Sequence, residues 1–233
     1  MGAEIQVIRY GDLGPPLLYV PTSGGDHTEF ERYGLPEDCA PWIGAGRVQI
    51  FSVDGFGPKG LFDDSMPPPL RIERYAAFER CAVLEVLPWI LSLARNPEVG
   101  VVGASYGAFV AASLFLKTAG AVRVACGLGG VYSMEHRLPG HASSEAARSM
   151  PLRYLSSLDD QGSLAALRAT LGFHIFAARN DPWLPSSHDL DRALAGKGIP
   201  RTLDVWPAPA DHHEVWWKRQ IRVFLDRCYG LIH

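Results

Sequence analysis

The pentapeptide Gly103-Ala104-Ser105-Tyr106-Gly107 follows directly on the apolar run Val99-Gly100-Val101-Val102. That order reads as strand, sharp turn, nucleophile. In a Gly-x-Ser-x-Gly elbow the serine sits on a strained strand-to-helix turn, and its hydroxyl projects from the top of a sheet. A side chain at 103 or 107 would collide with a neighbouring strand or helix, because the turn brings backbones close together. The residues that follow, 108–116, are small and apolar and predict a helix buried against the sheet. A helix starting near Tyr106 leaves free N–H groups beside Ser105, where an oxyanion would form. The plainer alternative is a structural serine buried in a tight turn.

Around the elbow, strand and helix patterns alternate. Apolar strands are predicted at 5–10, 16–21, 48–53, 99–104, 122–126, 171–177 and 202–206. Helical periodicity runs over 71–95, with Pro88 expected to kink or interrupt it, and further helices are expected at 189–197 and 215–228. Pro67-Pro68-Pro69 reads as loop. The alternation argues for a mostly parallel central sheet with helices on both faces. At 233 residues the chain fits one such domain. The segment 131–171 differs in character. It is too short for a separate domain and reads either as a small cap beside the site or as a plain surface crossover.

A net charge of −3 gives no reason to expect a nucleic-acid partner. No run of ~18 apolar residues suggests a membrane span. The first residues lack a basic region followed by an apolar core, so no signal peptide is expected. The four cysteines, Cys39, Cys81, Cys126 and Cys228, are dispersed without metal spacing. A reducing cytoplasm is the simplest expectation for them.

A serine nucleophile needs an imidazole to take its proton and an acid to orient that imidazole. In this architecture the chain order is Ser, Asp or Glu, then His. The strand at 171–177 runs into a loop carrying Asp181, at the carboxyl end where sites of open α/β sheets lie. Asn180-Asp181-Pro182 is also good turn chemistry, so an Asx-turn is the competing reading. The loop after the last strand brings Asp211-His212-His213-Glu214. Two histidines compete there: one as the base, the other to bind substrate or to cap the final helix. The cluster invites a metal reading, but adjacent histidines point apart and no partner spacing accompanies them, so neither metal nor cofactor is expected.

The oxyanion hole needs two N–H donors. One is expected from Tyr106 and the other from Ser23 or Gly24, in the glycine-rich loop after the strand at 16–21. Trp183 beside Asp181 and the side chain of Tyr106 are the favoured substrate walls, with Phe56, Tyr132 and Trp216 as further aromatic contributors. Such walls suit an apolar or aromatic ester.

The segment Tyr19-Val20-Pro21-Thr22-Ser23-Gly24-Gly25, the elbow 103–108 and the C-terminal tail together resemble the α/β-hydrolase superfamily, and more closely its esterase D-like family. The resemblance spans nearly the whole chain. In that family the catalytic histidine is followed closely by tryptophans on the last helix, in a pattern like Gly-x-His-x-Trp-x-x-Trp. Counting back from Trp217 selects His212 over His213. The chain departs from the pattern at Asp211, where a glycine is common. The resemblance implies a single α/β-hydrolase domain with Ser105, Asp181 and His212 as a triad. It implies hydrolysis of a small-molecule carboxylic ester through an acyl-enzyme. An acyltransferase or thioesterase using the same triad is the alternative, with a noncatalytic binding protein behind it. Oligomeric state is not legible.

Overall fold

The computed structural model describes residues 4–55, 57 and 59–230. Among these, seven strands form one sheet: β1 (Val7–Tyr10), β2 (Pro16–Val20), β3 (Gln49–Val53), β4 (Val99–Ala104), β5 (Val122–Leu128), β6 (Gly172–Ala178) and β7 (Arg201–Trp206). Their spatial order is β1-β3-β2-β4-β5-β6-β7. Only β1 runs antiparallel, pairing with β3 from Val7↔Val53 to Tyr10↔Ile50 at one edge. All other pairings are parallel.

The helices are α1 (Glu29–Arg32), α2 (Leu35–Gly44), α3 (Pro68–Cys81), α4 (Leu87–Ala94), α5 (Tyr106–Lys117), α6 (Ser144–Ser149), α7 (Pro151–Ser157), α8 (Gln161–Arg168), α9 (Leu184–Gly196) and α10 (Glu214–Tyr229). Alternation along the strands divides the core between the two faces. Leu18, Val20, Phe51 and Val101 pack with Phe109 and Phe115 of α5 and Tyr75 of α3. Leu17, Tyr19, Ile50 and Val102 pack instead with Trp42 of α2 and Ile221 and Phe224 of α10. Helix α5 is buried from Tyr106 through Leu116, so its sequence is apolar all round rather than striped.

The local expectations meet the structure unevenly. Pro68 and Pro69 open α3 instead of lying in a loop, because N–H groups in a helix's first turn have no intrahelical partner and a proline there loses nothing. The interruption expected near Pro88 in the 71–95 helix is a π-turn over Ala82–Val86, in which the Leu87 N–H reaches the Ala82 carbonyl. Pro88, with no N–H to give, then sits in the first turn of α4. Helices α1 and α2 were not predicted at all. Pro36 and Pro41 lie within α2, which hides its helical pattern.

The segment expected as a cap or a crossover is the β5–β6 connection. Its early part stays at the carboxyl end of the sheet, where Arg137 bonds Asp64 at 2.6 Å and stacks over the Phe62 ring. Its later part descends the flank, with α6 against α3 and α7 against α5 and α9.

The order of the strands places the site. The chain builds β3 on one side of β2, then crosses to place β4 on the other. Loops leaving the carboxyl ends of β2 and β4 therefore diverge and leave a crevice between them, the usual ligand position in an open α/β sheet.

Candidate active site

Ser105 sits at that crevice, between β4 and α5, with φ 53° and ψ −114°. A non-glycine residue at positive φ is uncommon and costs of order 1–3 kcal/mol, so the surrounding structure must enforce it. It does so by close approach. A Cβ on Gly103 would lie 2.1 Å from the Gly107 carbonyl oxygen, and one on Gly107 would lie 2.2 Å from the Val20 carbonyl oxygen of β2. The Ser105 N–H donates to Leu128 O at 2.9 Å, tying the elbow to the end of β5.

His212 Nε2 lies 3.1 Å from Ser105 Oγ, and His212 Nδ1 lies 3.0 Å from Asp181 Oδ2. Three side chains from separate loops thus form one hydrogen-bonded chain. Asp181 is only 5% exposed. Its second oxygen, Oδ1, accepts the Trp183 N–H at 2.7 Å. The Asx-turn and the imidazole contact, read as competitors from the sequence, coexist by using different oxygens.

The adjacent histidine is turned elsewhere. His213 has extended backbone (φ −146°, ψ 149°) and caps α10 by accepting the Val215 N–H on Nδ1. Neighbouring side chains on extended backbone point to opposite sides, which separates the two rings. The helix-cap role, expected of one of the two histidines, falls to His213.

The N–H of Tyr106, the first residue of α5, makes no hydrogen bond among the described residues. The same is true of the Ser23 and Gly24 amides, at the centre of the turn closed by Gly25 N–H to Thr22 O at 3.0 Å. A Cβ on Gly57 would lie 2.5 Å from the Ser23 carbonyl oxygen, so that carbonyl faces the loop after β3. In a planar trans peptide the N–H points opposite to the C=O, so the Gly24 N–H is directed away from that loop.

The aromatic expectations divide. The Tyr106 ring is 1% exposed and packs on Phe62 (5.1 Å) and Phe109 (5.9 Å), so its side chain is core and forms no substrate wall. Tyr132 is likewise fully buried, its hydroxyl occupying the space above Gly127. Trp183 is part-buried and stacks on His136 at 5.6 Å, at the rim beside Asp181. Trp216 lies under the Arg219 guanidinium at 4.8 Å. Phe56 lies outside the described residues.

Two further residues frame the Asp181–His212 contact. Gly129, at φ +55°, leaves room for the Asp181–His212 contact: a Cβ there would lie 2.9 Å from Asp181 Oδ2 and 3.1 Å from His212 Nδ1. Gly129-Gly130 after a strand was the available signal. Trp217 packs its indole against His212. Among the described residues no group of three or more His, Cys, Asp or Glu is placed to hold a metal ion, and no helix is long and apolar enough to cross a membrane.

No protein-family model matches the sequence, and no curated protein matches it. Similarity appears in three dimensions. A ferulic acid esterase superposes with a TM-score of 0.70 at 14% identity, covering 98% of each chain. An S-formylglutathione hydrolase from Agrobacterium tumefaciens gives 0.70 at 15% identity, covering 95% of this chain and 86% of that one. An S-formylglutathione hydrolase from Staphylococcus aureus gives 0.67 at 14% identity, covering 94% and 82%. With the sheet order above, these likenesses show that the chain has the α/β-hydrolase fold.

Proposed function

We propose that this protein is a serine hydrolase that cleaves small-molecule carboxylic esters. The observation that carries the reading is the continuous chain from Ser105 Oγ through His212 to the buried Asp181. Serine is a weak nucleophile at its own pKa, and an imidazole within reach of its hydroxyl removes that obstacle. His212 takes the Ser105 proton as Oγ attacks the ester carbonyl. Asp181 holds the Nδ1–H tautomer and stabilises the imidazolium. The oxyanion is held by the Tyr106 N–H and by the Gly24 or Ser23 N–H, each donor of this kind contributing a factor of about 10²–10³. His212 then gives its proton to the leaving alcohol, and water repeats the sequence on the acyl-enzyme to free the acid.

Trp183, on its stack with His136, is the aromatic group best placed to bound the substrate. That favours apolar or aromatic esters. Thioesters are the second reading. Two of the similar structures are S-formylglutathione hydrolases, and the same triad serves a thiol leaving group.

The test is hydrolysis of a p-nitrophenyl ester series by wild type and Ser105→Ala, with fluorophosphonate labelling and mass mapping of the adduct. Turnover lost in the variant and label on Ser105 are expected. A Ser105→Ala protein as active as wild type would overturn the proposal. Partition of product between water and added thiol or alcohol acceptors distinguishes hydrolysis from acyl transfer.

A further inference from the structure

Glu29 is a buried carboxylate that the reaction above does not use. It is 1% exposed. A carboxylate so far from water persists only when its lone pairs are well paired. Its partners converge on one short segment. Oε1 accepts the Tyr19 hydroxyl at 2.9 Å and the Thr22 N–H at 2.8 Å, and Oε2 accepts the Thr22 hydroxyl at 2.6 Å. Gly25 is pressed against the same group, so that a Cβ there would lie 2.0 Å from Oε2. The turn over 22–25 is wrapped around this carboxylate. At its centre are the Ser23 and Gly24 amides, which have no hydrogen-bond partner among the described residues.

The carboxylate is itself held rigidly. Glu29 opens α1, whose next residue, Phe30, is fully buried between Tyr10 and Tyr19, each 5.0 Å away. Asp26 Oδ1 accepts from Thr28 N–H (2.9 Å) and Arg32 Nη1 (2.7 Å), which braces the start of the helix. Without Glu29, a glycine-rich turn of this kind has many accessible backbone states. A donor must be in place before charge develops if it is to stabilise a transition state.

We propose that Glu29 is the positioning residue for the second oxyanion donor. Through Thr22 it holds the 22–25 turn in the one conformation that presents the Gly24 N–H to the crevice beside Ser105. This rests on the serine-hydrolase reading of Ser105.

The experiment compares wild type, Glu29→Ala, Glu29→Gln and Thr22→Val. Steady-state and single-turnover kinetics on p-nitrophenyl butyrate are combined with amide hydrogen exchange. Glu29→Ala is expected to lower kcat about 10- to 100-fold with KM within about twofold, because the lost interaction is made only in the transition state. Acylation and deacylation should slow together, since both pass through an oxyanion. Exchange should accelerate over 21–28 and not in β4 or α5. Glu29→Gln should restore kcat to within about threefold of wild type, since its amide oxygen accepts from Tyr19 and Thr22 and its NH₂ donates to the Thr22 hydroxyl. Thr22→Val, which removes one bond and opens no cavity, should give a smaller kcat loss of the same kind and keeps the test open if Glu29→Ala does not fold. Folded variants with faster exchange over 21–28 and unchanged kcat would overturn the proposal, as would a kcat loss that Glu29→Gln does not relieve. The exchange measurement needs no ester chemistry. Failure of Ser105 to label or turn over would strike the serine-hydrolase reading and leave the hold of Glu29 on the turn separately measured.

Discussion

The indole of Trp217 meets the imidazole of His212 edge to face, with ring centroids 5.1 Å apart and planes at 84°. Trp217 lies one turn into α10 and is buried, and its Nε1–H has no hydrogen-bond partner among the described residues. The ring therefore contributes by packing, as a wall behind the His212 imidazole. Aromatic pairs of this geometry contribute about 0.5–1.5 kcal/mol beyond their buried area. Trp217→Leu is expected to lower kcat/KM about 2- to 10-fold with Ser105 still reactive to fluorophosphonate, as measured by steady-state kinetics and labelling rate.

Gly129→Ala should be far more damaging. The added methyl would lie 2.8 Å from Trp217 Nε1, 2.9 Å from Asp181 Oδ2 and 3.1 Å from His212 Nδ1, on backbone at φ +55°. Something must shift, and every neighbour belongs to the Asp181–His212 pair or to the indole packed on it. Displacements of about 1 Å at a reacting centre cost on the order of 10²-fold, so a loss of at least that size is expected. Circular dichroism should show the sheet intact. Near-normal turnover in Gly129→Ala would show that the Asp181–His212 contact is not needed.

Asp181→Asn separates the two jobs of that side chain. An asparagine oxygen can still accept the Trp183 N–H, so the turn and the fold should survive. Its NH₂ would then face His212 Nδ1 and force the proton onto Nε2, where the ring can no longer accept from Ser105. A fall in kcat of about 10³- to 10⁴-fold at unchanged thermal stability is expected, following the behaviour of such triads. A fall in stability without a fall in kcat would leave Asp181 a turn residue.

Away from the site, Lys117 on α5 pairs with Glu79 on α3, and Glu79 also accepts from the Tyr75 hydroxyl at 3.4 Å. Burial raises the Glu79 carboxyl above its ordinary range and lowers the Lys117 ammonium, in each case outweighing the attraction of the partner. Such a pair is costly to break and adds little to stability by its presence. Lys117→Met should destabilise by about 3–5 kcal/mol in urea unfolding, while Glu79→Leu/Lys117→Met should lie close to wild type.

The pH dependence of that variant follows from the same raised carboxyl. A folded pKa above the unfolded value gives stability that is full below the unfolded value of 4.5 and is lost as pH rises through the folded one. The Lys117→Met deficit should therefore be largest at neutral pH and shrink on acidification toward 4.5. Unfolding curves at three pH values between 5 and 8 check the sign.

Much of this molecule was legible in its chain because the signals were local. A Gly-x-Ser-x-Gly turn after an apolar run needs glycine at both ends for the close approaches seen at Gly103 and Gly107, whatever surrounds it. The Ser–Asp–His order and the alternation of strand and helix likewise survive in one dimension. Errors arose where a residue's setting lay elsewhere. Tyr106 looks like a pocket wall because it adjoins Ser105, yet its ring turns into the core against Phe62, a residue of another loop. Pro68 and Pro69 look like loop because a proline triplet carries no sign of which residue starts a helix.

The sequence by itself determined the elbow, the class of sheet and the kinds of side chain available to it. Only the tertiary structure put the His212 ring, and not that of His213, beside Ser105, because the placing of two adjacent rings depends on which way an extended backbone faces a serine 107 residues away. It also placed Gly129 where Asp181 and His212 meet, and the Glu29 carboxylate under the 22–25 turn. Neither placement leaves a pattern in the chain, since packing brings together residues that no spacing rule relates.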